Sequence, residues 1–331
     1  MVMKHTLRRA LALIPALALC LPLAGQAQDS KVAKLPHVHI GGALSYPPHT
    51  FTHQVWYRDI VYDKSAKDTQ YTSLDVYVAD PVEKGSPVMV WVHGGGLRMG
   101  DKASSKDLAS KPEYFTSKLG YILVSVNYRL LPEGIYPTNV QDVADALAWV
   151  ANNIADFGGD PNQIVLMGHS AGAQLVAQVA TDETFLRKAG KDLSLLKGVV
   201  AIEGSYGVLP PDPADASRHL AANYGPNWKN ALAVGHVAAG KGIPPFLLLH
   251  VVGGSPTVAD SEAQALGLAK ALTAASVKVH VVSLDHVEHF GANERLGVPG
   301  DIITASLERF LGALPGNKRA PHWTPGSLPK F

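Results

Sequence analysis

Apolar residues fall into short runs along this chain, separated by polar stretches that carry glycine or proline. Trp56–Tyr62 and Leu74–Val78 alternate apolar and polar positions, the pattern of strands with one exposed face. Val88–Val92 and Ile122–Val126 are continuous apolar runs, which suit strands covered on both faces, as in parallel sheets. From Val140 to Asn152 the period lengthens, and Val143, Ala144, Leu147 and Val150 form one helical stripe. A buried strand at Ile164–Met167 and an alanine-rich helix over 171–180 follow. The alternation then continues with strands at Val199–Ile202 and Phe246–Val252, a helix at about 260–274, a strand at Val277–Leu284 and a last helix at 301–312. Strand–helix repetition of this kind predicts an α/β fold, with a mostly parallel central sheet and helices on both faces.

The segment 204–245, with its prolines, glycines and aromatics, interrupts the alternation and reads as a small cap insertion. Residues 28–55 have little periodicity and read as an irregular arm, and the Pro- and Gly-rich stretch 313–331 reads as a surface tail. Residues 1–27 have another logic. Lys4, Arg8 and Arg9 precede an apolar run from Leu11 to Leu23, and Gly25-Gln26-Ala27 then places small residues at −3 and −1. That is the layout of a secretory signal peptide cut after Ala27, and it predicts a secreted or periplasmic protein. The run is short of the roughly 20 apolar residues that span a bilayer, so no membrane span is expected in the mature chain.

Composition narrows the class further. With 331 residues, 47% of them apolar and 17% charged, the chain can build a full-sized core, and it is neither disordered nor a disulfide-stapled miniprotein. The net charge is +1, and taking the leader's three basic residues from the 29 leaves 26 against 28 acidic ones. Without basic runs, a partner bound through nucleic-acid phosphates is not expected. Cys20, the only cysteine, lies in the leader, so the mature chain carries no disulfide.

Two motifs carry chemistry. Gly168-His169-Ser170-Ala171-Gly172 matches G-x-S-x-G between the strand Ile164–Met167 and the helix that follows. A sharp turn there lifts the Ser170 hydroxyl clear of the sheet and sets it at a helix N-terminus, where negative charge is favoured. His93-Gly94-Gly95-Gly96 follows the strand Val88–Val92. Acyl transfer passes through an oxyanion that inward-aimed N–H groups stabilise, and glycine lets the backbone approach a substrate closely. The expected donors are Gly94 or Gly95, with Gly96 also in place, together with Ala171.

With HGGG and GHSAG in this order, the chain resembles α/β-hydrolase-fold serine esterases of the carboxylesterase or hormone-sensitive-lipase-like group. The supporting stretches are VWVHGGGLRMGDK, SVNYRLLPEGIYPTNVQDVADALAWV, GGDPNQIVLMGHSAG and GKGIPPFLLLH, and the resemblance runs over roughly residues 56–312. The ending HFGANERLGVPGD is also similar to kynurenine-formamidase-like and feruloyl-esterase-like members.

The resemblance implies a histidine base on the loop after the last strand, where Asp285-His286-Val287-Glu288-His289 offers His286 and His289. Asn293, Leu296 and Gly297 fit the related spacing from His289, which is therefore the expected base. The acid is where the chain departs. The family's usual position follows Phe246–Val252, but no carboxylate appears there before Asp260 and Glu262. Asp260 is the expected acid, with Glu203 and Asp285 as rivals and helix capping as the alternative role for Asp260.

Leu97, Leu130, Leu131, Tyr206 and Trp228 are candidate pocket walls, Leu97, Tyr206 and Trp228 above all, and would suit an apolar or aromatic group. Arg129 and Asp142 are expected to brace the scaffold. The 14 histidines include no H-E-x-x-H, and His37, His39, His49 and His53 read as part of a polar arm, so no metal or other cofactor is expected. The expectation is a serine hydrolase that cleaves small-molecule carboxylic esters through an acyl-enzyme. An arylformamidase-type activity on the same residues and a non-catalytic binding protein are the alternatives.

Overall fold

The computed structural model describes residues 53–209, 220–253 and 260–317, together with the backbone of 37–40. Nine strands build one sheet: β1 (His37–Ile40), β2 (His53–Val61), β3 (Ser73–Asp80), β4 (Ser86–Val92), β5 (Ile122–Val126), β6 (Gly159–His169), β7 (Leu196–Ile202), β8 (Phe246–Val251) and β9 (Val279–Leu284). Their order is β1-β2-β3-β5-β4-β6-β7-β8-β9. The pairs from β1 to β5 through β2 and β3 are antiparallel, and every pair from β5 to β9 is parallel. The helices are α1 (Ser105–Leu108), α2 (Lys111–Glu113), α3 (Thr138–Asn153), α4 (Ala171–Thr181), α5 (Glu183–Lys188), α6 (Ser261–Ala274), α7 (Gly291–Glu294) and α8 (Ile302–Ala313).

The continuous apolar runs behave as double-sided strands because successive side chains point to opposite faces. Val88, Val90, Val92, Ile164, Leu166, Phe246 and Leu248 face one core layer, shared with the stripe Val140, Val143, Ala144, Leu147 and Val150 of α3 and with α4 and α6. Met89, Trp91, Val165, Met167, Leu247 and Leu249 face the other, shared with Leu108, Phe115, Leu307 and Phe310. The chain leaves β4 toward β5 on one side and reaches β6 on the other. The crevice beyond the carboxyl ends of β4 and β6 is thus a point where strand order reverses, the usual ligand position in open α/β sheets.

The alternation in β3 is not a mark of solvent exposure. Asp75 is fully buried, accepting from Trp56 Nε1 at 2.9 Å and Asp59 N–H at 2.8 Å and lying 3.0 Å from Lys102 Nζ. A paired carboxylate sits inside where an isolated one would face water. The short strand β1, anticipated as irregular arm, pairs with β2 through His37↔Tyr57 to Ile40↔Gln54. The segment expected as a cap joins β7 to β8 and contains 3₁₀ turns at Trp228–Ala231 and Ala233–His236. The leader expected over 1–27, most of the arm and the tail beyond 317 lie outside the described residues. Among the described residues no helix is long and apolar enough to cross a membrane.

Arg129 braces the start of α3. Its backbone N–H donates to Asp142 Oδ2 at 2.9 Å and its Nε reaches the same oxygen at 2.9 Å, while a second guanidinium nitrogen contacts Oδ1. Asp142 is fully buried, so removing the cation strands a desolvated carboxylate. Arg129→Ala is expected to lower stability by roughly 3 kcal/mol, read from the urea midpoint at unchanged m-value.

Candidate active site

β6 ends at His169 and α4 begins at Ala171, so Ser170 alone makes the turn. It does so at φ 55°, ψ −120°, a conformation that L-residues rarely adopt. Its N–H donates to Ile202 O at 2.8 Å, which ties the turn to the end of β7. The first turn of α4 lies against the end of β4: a methyl group on Gly172 would fall 2.2 Å from Val92 O, so only glycine permits the approach. As the first helical residue, Ala171 has an N–H without an intrahelical partner.

The triglycine loop lies across the same point. A methyl group on Gly94 would come 3.2 Å from Ser170 Cβ and 3.1 Å from His169 O. Gly95, at φ 110°, turns the chain so that its carbonyl accepts from both Arg98 and Met99 N–H at 3.1 Å. The loop is held from behind by Tyr128, whose hydroxyl donates to His93 O at 3.1 Å and whose ring stacks on His93. Among the described residues no backbone acceptor takes the N–H of Gly94 or Gly95.

His289 is 5% exposed, and its Nδ1 lies 3.1 Å from Glu203 Oε2. Its Nε2 is buried without a hydrogen-bond partner among the described residues. His169 ties the imidazole to the serine turn, donating from Nε2 to His289 O at 2.9 Å with ring centroids 4.7 Å apart. Because a carbonyl only accepts, the His169 proton sits on Nε2. Burial, reinforced by the neighbouring His289, pushes the His169 pKa down to about 3, so it stays neutral beside an imidazole that gains charge in any proton transfer.

Glu203 follows β7 at φ 56° with a fully buried side chain. Oε1 accepts from Val251 N–H at 2.5 Å and Ser261 Oγ at 2.6 Å. Burial works to raise this carboxyl, but hydrogen bonds from His289, Ser261 and Val251 outweigh it and hold the group below the usual glutamate range.

The expectation for Asp260 is therefore corrected. Asp260 is exposed and caps α6, accepting from Ala263 N–H at 3.1 Å, while its neighbour Ser261 reaches the buried acid instead. The capping role competes with the catalytic one, and a carboxylate already bound to a helix N-terminus does not reach His289. Asp285 and His286 are both exposed. Sequence reasoning missed His169 and Ser261 as supports; the adjacency of Ser261 to the helix start was its one visible signal.

The three pocket candidates pack into one core layer. Leu97 is 2% exposed, Tyr206 1% and Trp228 9%, and the Tyr206 hydroxyl accepts from Gly204 N–H at 3.2 Å. The exposed apolar surfaces beside the site are Met99, whose carbonyl abuts Gly95, and Phe290, whose ring is 5.3 Å from that of His289. Among the described residues no group of three or more His, Cys, Asp or Glu could hold a metal ion.

Residues 74–207 match the family described as BD-FAE. A probable isoprenylcysteine alpha-carbonyl methylesterase of Oryza sativa subsp. japonica is 31% identical over 162 residues, 48% of this chain and 37% of that one. Esterase LipQ of Mycobacterium tuberculosis is 34% identical over 157 residues, 46% of this chain and 34% of that one. The matches thus span little more than a third of these relatives' length. The crystal structure of esterase B from Lactobacillus rhamnosis superposes with a TM-score of 0.64 at 22% identity, covering 78% of this chain and 84% of that one. The fold is that of the α/β hydrolases.

Two outcomes separate the carboxylates. Asp260→Ala is expected to cost about 1 kcal/mol of stability, the worth of a cap, with hydrolysis within about twofold of wild type. Glu203 has a depressed folded pKa, so its contribution to stability is present above the pKa of an unfolded glutamate and is lost as pH falls through the lower folded value. Glu203→Gln is expected to remove that part of the acid-unfolding slope, checked by urea titrations from neutral pH downward.

Proposed function

We propose that this protein is a serine hydrolase of carboxylic esters in which Ser170, His289 and Glu203 form the catalytic triad. One observation carries the reading. The buried His289 imidazole binds a buried carboxylate through Nδ1 and leaves Nε2 unengaged, on a turn hydrogen-bonded to the residue before a strained serine. Serine hydroxyls are poor nucleophiles until an adjacent base takes their proton.

In the proposed sequence Ser170 Oγ attacks the ester carbonyl carbon while His289 Nε2 takes the hydroxyl proton. The resulting imidazolium is stabilised by Glu203, and the oxyanion by the N–H groups of Ala171 and of Gly94 or Gly95, each donor worth about 3 kcal/mol in a dry site. Nε2 then protonates the leaving alkoxide and an acyl-enzyme remains. Water, deprotonated by the same nitrogen, attacks the acyl carbon and releases the carboxylic acid and free Ser170.

The relatives, named esterases in each case, support this reading. Met99 and Phe290 support an apolar substituent on the acyl or alcohol side. The contact between Glu203 and His289 supports the catalytic reading over a non-catalytic binding protein. The leader pattern supports export to the periplasm or medium as part of the same proposal.

Ser170→Ala should abolish turnover of p-nitrophenyl acetate, and a fluorophosphonate should label Ser170 alone; retained turnover in the variant would refute the assignment. Glu203→Gln should lower kcat by about 10³–10⁴-fold. Faster turnover of N-formylkynurenine than of aryl acetates would move the assignment to amide hydrolysis with the same residues.

A further inference from the structure

Lys111 is fully buried, and among the described residues no carboxylate binds it. Its Nζ donates instead to two backbone carbonyls, Asp107 O at 2.8 Å and Asn293 O at 3.1 Å, and sits 4.5 Å from the centroid of the Trp91 ring. An ammonium has three protons, and this site offers two carbonyl oxygens and one aromatic face. The fit is to the charged form.

The three acceptors belong to different parts of the site. Trp91 lies on β4, two residues before the His93-Gly94 loop. Asp107 lies on α1. Asn293 lies on α7, in a turn made rigid by Ala292 N–H to Glu288 O and Asn293 N–H to Phe290 O, both 3.0 Å, with His289 inside it. The same joint is closed by Asn293 Nδ2 to Asp107 O at 3.3 Å and by Ser110 Oγ to Leu296 O at 2.8 Å.

We propose that Lys111 is a positioning residue, a buried ammonium clamp that fixes the His289 turn against α1 and the oxyanion strand and so aims the imidazole at Ser170. The proposal rests on the hydrolase reading above. Lys111 does not touch the reacting atoms; it acts through the backbone of Asn293. Burial pushes its pKa down to about 7, against the opposing pull of the Asp107 and Glu294 carboxylates, with neutral His169 on the β6 side. The clamp is therefore charged below about pH 7 and loses its third donor above it. Activity should show a falling limb near pH 7, as the clamp loses its charge.

Lys111→Met keeps the stem and removes the donors. It should lower kcat on p-nitrophenyl acetate about tenfold or more with KM within about twofold, and the limb near pH 7 should vanish. Melting at pH 6 should not be lower than in the wild type, because a costly buried charge is gone. A kcat within twofold of wild type, or a retained limb, would overturn the proposal. Wild type needs no folding control: absence of the alkaline limb between pH 6 and 9, in turnover and in phosphonate labelling alike, overturns it too. Nitrogen NMR of the His289 ring separates the two readings, since a step near pH 7 that is lost in Lys111→Met supports the clamp even if the ester assignment fails, and its absence counts against the clamp.

Discussion

The close passage of the α4 N-terminus over the end of β4 is the constraint on which the rest depends. With Val92 O only 2.2 Å from where a Gly172 Cβ would stand, α4 passes too close to β4 for any side chain there, and the turn before it has one residue in which to reverse. Ser170 takes the strain of that reversal. Strain persists only where the surroundings over-determine it, and here they do: Ile202 O holds the Ser170 N–H, the triglycine loop lies against its Cβ, and His169 is pinned to His289. Ser170, the triglycine loop and His289 are thus brought together by one packing event between a strand and a helix.

Much of this was legible along the chain. The double-sided strands are continuous apolar runs because both faces are covered, and the α3 stripe is read directly from its period. Ser170 and the glycine loop are local motifs whose chemistry and geometry coincide. The spacing to Asn293, Leu296 and Gly297 that singled out His289 in the sequence has a physical basis, because Asn293 closes the turn and Gly297 packs against Tyr114.

The carboxylate that meets His289 was not legible in the same way. A carboxylate is chosen by which strand ends converge in space, and that depends on sheet order rather than chain position. Glu203, just after β7, and Val251, at the end of β8, are 48 residues apart but meet where those neighbouring strands end. Asp260 carried the stronger one-dimensional signal because it is the first carboxylate after the strand that precedes the family's usual acid, but at the start of a helix it caps α6 instead. The buried Asp75 teaches the same lesson: an alternating pattern reports exposure only when the polar residue has no partner inside.

The twofold anchoring of Glu203 has an architectural consequence. Val251 N–H, just before the stretch that leads to α6, and Ser261 Oγ, just after it, both bind the same carboxylate oxygen. The Glu203 carboxylate is a rivet that fastens Val251 and Ser261 to one point. Lengthening a loop whose ends are already fastened costs only about 0.6 kcal/mol per doubling. Both ends of the interval between Val251 and Ser261 are therefore fastened to one carboxylate, and sequence lengthened between them would leave both contacts in place.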